Sequence, residues 1–296
     1  MNKVKFQHFV PRFYLANFAD SVGQIWTFDK MNSNRFESRP EKIGGQTYFY
    51  DVPELDRESE AGGNQVIEKF FGPHEGDAAA IIKGWLTSLE TGRVTITQEE
   101  KYTFSMFLAL QHLRTPEHRK YIIQWAAALS GNVGRSSEDF SKEALPYITA
   151  NSLLSDKMTV ALTEAFFNHI WIFQQNKTTI PFYTSDHPLA LKPGLSGTWH
   201  SGSGVASRGI QIIYPISSLV VLHILEREHW KHFEAYEGSL SPVEYTEDHV
   251  KHDNSGQVAH STRWVYCRDN DFDFADHMCN LYPESRDSNR QRITRR

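Results

Sequence analysis

Three observations predict an α+β fold, a helical core with short antiparallel β-hairpins from the N-terminal and C-terminal parts. Near the N-terminus apolar and polar residues alternate between turn residues; the middle carries apolar residues every three or four positions behind helix caps; the C-terminal half returns to short β-branched runs. The 296 residues are enough to bury a core without disulfides. No linker divides them, so residues 1–285 read as one domain and 286–296 as a basic, flexible tail.

In chain order, Gln24 to Lys30 alternates after Gly23, and Asn32-Ser33-Asn34 turns it into Arg35-Phe36-Glu37, a β-hairpin. Tyr48-Phe49-Tyr50 reads as a third strand, followed by an acidic loop from Asp51 to Glu60. Asn64 caps a helix over Gln65 to Phe71. Gly72-Pro73 interrupts it, and His74 to Leu89 resumes with Ala79, Ile82, Leu86 and Leu89 on one stripe.

Thr97-Gln98-Glu99-Glu100 is a capping box and opens the best-specified helix. Along it Phe104, Phe107, Leu108, Gln111 and Arg114 share one face, so the polar pair points inward at the end of an apolar stripe. Thr115-Pro116 then breaks or restarts the helix beside Arg114. From Gly131 to Ser155 the chain reads as a Ser-rich loop with one short helix, and Ser155 caps a helix from Asp156 to Asn168. Trp171 to Phe173 begins a strand, Asn176-Lys177 turns it, and Ile180 to Thr184 returns, ending in Ser185-Asp186-His187-Pro188. A Gly/Ser loop from Gly194 to Gly209 leads to strands at Ile210 to Pro215 and Val220 to Ile224. A helix over Glu226 to Tyr236, an unassigned segment around Asn254 and a strand from Arg263 to Cys267 complete the domain.

A formal charge of −5 argues against a protein that coats nucleic acid through a broad cationic surface, although a local basic groove remains compatible with it. Cys267 and Cys279 lack C-x-x-C spacing, which fits a reducing cytoplasm, and no apolar run reaches the roughly 20 residues of a membrane span. Walker, Rossmann, nucleophile-elbow and H-E-x-x-H signatures are absent from the sequence.

Instead of a polar, frayed N-terminus the chain opens with His8 and Arg12 among aromatics. The pattern His8-x-x-Pro11-x-x-Tyr14-Leu15-x-x-Phe18 resembles the start of the domain of unknown function 4238 family. The likeness continues at Glu68 and Glu75, Gln111-x-x-Arg114-Thr115-Pro116, Thr184-Ser185-Asp186-x-Pro188 and Tyr214-Pro215. His187 stands where the family usually has asparagine. The family name implies no activity, so chemistry rests on the residues.

His8 can transfer protons near neutrality, or cap a backbone carbonyl. Arg12 and Arg114 can clamp a phosphate or carboxylate, or Arg114 can pair with Glu68 or Glu75 as scaffold. Gln111 orients a water or ties Arg114 down. Asp186 is either an acid aimed into a cleft or the cap of a turn. A metal set of Glu68, Glu75, Asp186 and His187 suits Mg or Mn. His8, Arg12, Gln111, Arg114 and Asp186 together predict a phosphodiester hydrolase, a nuclease acting on RNA or DNA. The other reading is a nucleotide- or protein-binding regulatory module in which the same residues form a structural network.

Overall fold

The computed structural model describes residues 4–51, 65–131, 145–194, 199 and 204–293. Residues 52–60 of the acidic loop, the expected Asn64 cap, residues 132–144 of the Ser-rich stretch and half of the Gly/Ser loop lie outside these. The architecture is α+β.

The chain opens with β1 (Phe6–His8), α1 (Arg12–Ala16) and the hairpin β2 (Ile25–Asp29) and β3 (Asn34–Ser38), turned at Ser33 with φ of 59°. β4 (Gly45–Thr47) runs antiparallel to β1, with His8 opposite Gly45. A Cβ on Gly45 would stand 2.5 Å from the Gln7 carbonyl oxygen, so only glycine lets the strands approach this closely. The expected strand at Tyr48–Tyr50 is absent. Tyr48 turns into the left-handed region at φ of 53° and ends the pairing, and the Tyr50 amide donates to the Gln7 side chain at 2.6 Å.

The expected break at Gly72-Pro73 does not occur, because α2 (Val66–Glu90) runs straight through the proline. Interior proline costs about 3 kcal/mol. Against it stand Ile67 and Phe71, buried before the proline on the stripe that continues through Ala78, Ile82, Trp85 and Leu89. Each large apolar side chain so buried contributes about 1.5–3 kcal/mol, which offsets the loss. The stripe is also one residue out of phase with the expected Ala79 and Leu86.

α3 (Gln98–Leu113) begins at the predicted capping box, with both reciprocal bonds made at 2.9 and 3.1 Å. It ends at Arg114, and α4 (Pro116–Gly131) restarts with proline in its first turn. α5 (Leu145–Leu154) and α6 (Asp156–Asn168, capped by Ser155) follow.

β5 (Ile170–Gln175), β7 (Ala190–Lys192), β8 (Gln211–Ser217), β9 (Val220–Leu225) and β10 (Ser239–Leu240) form a five-stranded sheet in the order β10-β5-β9-β8-β7. Its pairings are antiparallel except β10 with β5. The expected hairpin partner of β5 goes elsewhere: β6 (Thr184–Ser185) pairs with β11 (Trp264–Cys267) in the sheet β3-β2-β11-β6. The expected helix over Glu226 to Tyr236 reduces to a 3-10 turn at Lys231–Tyr236.

The segment around Asn254 is α7 (Glu247–His260), whose buried residues include Asp253, Asn254, Gln257 and His260. α8 (Asp273–Leu281) packs beside it. The main core joins Trp85 of α2, Phe104 and Phe107 of α3, Trp171 and Phe173 of β5 and Tyr214 of β8 through edge-on and tilted ring contacts.

The expected free tail is docked as far as residue 293. Arg292 is buried and grips Glu117 of α4 through Nε at 2.8 Å and Nη2 at 2.7 Å, and Arg290 reaches the same carboxylate at 2.9 Å. Two guanidinium groups outweigh the burial of that carboxyl and hold Glu117 below the usual carboxylate range. No helix among the described residues is long and apolar enough to cross a membrane.

Candidate functional site

His8 ends β1 with its ring half-buried, edge-on to Phe6, and its Nε2–H directed to the Pro40 carbonyl at 3.3 Å. Burial lowers its pKa below 6.5, the Pro40 bond opposes that, and Arg12 and Arg114 add to the fall while Glu75 resists it. The imidazole is therefore neutral at pH 7, the form that accepts a proton.

Arg114 caps α3 and is almost wholly buried. Its Nε donates to Gln111 Oε1 at 3.0 Å, its Nη1 to Glu75 Oε1 at 2.7 Å, and its guanidinium lies 4.8 Å from the centre of the Phe71 ring. Gln111 Nε2 in turn donates to the Phe9 carbonyl at 2.9 Å, tying the arginine to the residue after His8. Nη2 is buried with no hydrogen-bond partner.

The continuous α2 puts Glu68 and Glu75 on one side, facing Arg114. Glu68 has its pKa pushed up to about 7, first by burial and then by Glu75, with Arg114 and Arg12 opposing. Its Oε2 is also buried without a partner. Arg12 is exposed on α1, and its charge acts on both His8 and Glu68. Thus His8, Arg12, Glu68, Glu75, Gln111 and Arg114 surround one centre, brought there by β1, α1, α2 and the end of α3.

Asp186 does not join that centre. Its Oδ1 accepts the Thr262 amide at 2.7 Å and its Oδ2 the Arg263 and Trp264 amides at 2.8 and 3.0 Å, so the carboxylate fastens β6 to the start of β11. Burial raises its pKa against these bonds and Lys30. His187 is turned to the start of α4, with Nδ1 at 2.7 Å from the hydroxyl of Thr115, the residue after Arg114. Burial, then the neighbouring His112, His260 and His118 rings, hold it well below 6.5. The metal set of Glu68, Glu75, Asp186 and His187 therefore does not assemble. Among the described residues no group of three or more His, Cys, Asp or Glu is placed to hold a metal ion.

Sequence reasoning missed the buried imidazoles of His112, His118 and His260 around His187, and the polar face of α7. The signal was present. Val250, Asp253, Asn254, Gln257 and Val258 recur at the spacing of one helix face, but polar residues break the hydrophobic reading of that period.

The profile of a family described as protein of unknown function (DUF4238) matches residues 7–271, nearly the whole described fold. The chain belongs to the DUF4238 family. No curated protein and no solved structure matches it significantly. The motif pieces of this DUF4238 chain meet in space: the Tyr14 hydroxyl lies 2.8 Å from Thr184 Oγ1 and donates to the Pro215 carbonyl at 2.6 Å, while its ring stacks on Tyr214. That buried tie is scaffold. The motif residues His8, Glu68, Glu75, Gln111 and Arg114 lie together at the other centre described above.

Proposed function

We propose that the His8–Arg114 centre of this DUF4238 protein binds an anionic phosphodiester and hydrolyses it by acid–base chemistry, as a nuclease. The observation that carries this is a base and an acid under the same three charges: neutral His8 and Glu68, lifted to about 7, both sense Arg12, Glu75 and Arg114. Proton-transfer groups work best with a pKa near the operating pH, and perturbed groups gathered in one place mark a site. In this reading His8 takes a proton from the attacking water as its oxygen bonds to phosphorus, and Glu68 gives its proton to the leaving oxygen as the phosphorus–oxygen bond to it breaks. Arg12 and the unpartnered Nη2 of Arg114 stabilise the negative charge that builds on the phosphorus oxygens. Asp186 has no part in it.

The test is a cleavage assay of the purified chain on RNA, single-stranded DNA and duplex DNA, with Mg²⁺, with Mn²⁺ and with chelator. Cleavage of at least one substrate is expected, reduced about 10²–10⁴-fold in Glu68→Gln. Binding of nucleotide without cleavage of any substrate would favour a regulatory module instead; cleavage unchanged in Glu68→Gln would remove the proposed acid.

A further inference from the structure

A cavity of about 470 Å³ lies between α7, α8 and the segment from Tyr282 to Gln291, and shares no residue with the His8–Arg114 centre. Phe274, Met278 and Val258 give it an apolar wall, with Trp199 seated on Gly256 at the side. A Cβ on Gly256 would come within 2.5 Å of the indole, so the glycine makes room for that wall. Its size and apolar lining are those of a small-molecule site, which uses a few fixed polar groups for orientation.

Two such groups are present. Arg290 and Ser285 line the cavity, and Arg290 Nη1 and Ser285 Oγ are buried without hydrogen-bond partners. The other arm of Arg290 is occupied, donating from Nη2 to Glu117 and to the Ala259 carbonyl at 3.3 Å. Around it the buried charges are Arg290, Arg292 and Lys30 against Glu117 and Asp186, so three cations face two carboxylates. One positive charge is left over. Glu284 and Asp287 are exposed on the outer edge, where water screens them, and His252 and His260 have their pKa values lowered first by burial.

The geometry points to a binding site for a small organic monocarboxylate, with its carboxylate on Arg290 Nη1 and Ser285 Oγ and its aromatic or short aliphatic body among Trp199, Phe274 and Met278. A single surplus charge and two donors match one carboxylate. A phosphate dianion would bring a second charge with nothing buried to meet it, against Glu284 and Asp287 at the edge. The site is independent of the proposed hydrolysis.

Titration calorimetry and thermal melts of the full chain with benzoate, indole-3-acetate and hexanoate, beside their neutral amides, test it. At least one carboxylate is expected to bind saturably in the millimolar range or tighter, to raise the Tm with concentration, and to bind about tenfold more tightly than its amide. Arg290→Gln should remove that preference. Because Arg290 also braces Glu117, a second variant guards against simple unfolding: Met278→Trp, from a half-exposed position, should fill the cavity and abolish binding while the melt is retained. Absence of binding by all three acids, equal binding of acid and amide, undiminished binding in Met278→Trp, or equally tight binding of inorganic phosphate would each overturn the proposal.

Discussion

Asp186 accepts amide hydrogens from three consecutive residues and Glu117 is gripped by two arginines and Thr262, whereas Arg114 and Glu68 each keep a buried polar atom without a partner. Both regions bury charge, and both contain motif residues of the family. They differ in how far their carboxylates are satisfied, since Glu117 and Asp186 have donors on both oxygens and Glu68 keeps a bare one. A carboxylate held by three or four donors is fixed and shielded, so it specifies the fold; a guanidinium with a free arm beside a carboxyl that is protonated near neutrality can still respond to a ligand.

The largest expected effect of a single substitution falls on the satisfied region. Asp186→Ala would orphan the amides of Thr262, Arg263 and Trp264 and should lower unfolding stability by about 3–5 kcal/mol in urea titrations. A near-normal midpoint would show that β6 and β11 hold together without it and would erase the contrast.

Next comes acidification. His112 and His260 are pushed down to about 4 and His118 to about 3, all first by burial, against an ordinary value of 6.5. Between pH 6.5 and about 4 the unfolded chain binds these protons and the folded chain does not, so stability is full above 6.5 and falls as the pH drops through that window. One such histidine contributes about 3 kcal/mol at its limit. Melts from pH 7 to pH 4 should show the loss, and His118→Gln should make it shallower; a flat profile would mean that the cluster opens to water.

Arg114 sharpens the comparison further. Arg114→Ala strands Glu75, but that side chain is 31% exposed, so the expected destabilisation is about 2–3 kcal/mol and not the full value of a buried pair. Arg114→Lys should fold and yet lose turnover about tenfold for every 1.4 kcal/mol of transition-state binding that the bidentate fork supplied. A fully active lysine variant would make Arg114 scaffold like Glu117.

The smallest effect is at Glu68. Its folded pKa of about 7 stands above the ordinary 4.5, so the folded state holds the proton more tightly and stability declines as the pH rises through that interval. Glu68→Gln should therefore raise the Tm slightly at pH 8 relative to wild type and leave it unchanged at pH 4. The opposite sign would place Glu68 in a favourable ion pair.

The sequence made legible those elements whose signal is local. The Thr97–Glu100 box, the Ser155 cap and the Asn32–Asn34 turn each satisfy their own backbone within a few residues, and the structure places them as read. The inward pair Gln111 and Arg114 was visible because it extends an apolar period. Pairing of β6 with β11, some 80 residues downstream, has no local signature, and continuity of α2 through Pro73 depends on a burial stripe supplied by tertiary packing. Asp186 before X-Pro admitted two roles, an aimed acid or a turn cap. Only the approach of the Thr262–Trp264 amides decides between them, and that contact is likewise non-local.

The central claim is that the unsatisfied centre reacts and the satisfied one supports. It is tested most directly by RNA and DNA cleavage with His8→Ala, compared with wild type at a temperature where melts show both folded. His8→Ala is expected to keep its Tm within a few degrees, because its ring makes a single half-buried bond to Pro40, and to lose about 10²–10⁴-fold in rate. Equal rates for the two proteins would contradict it.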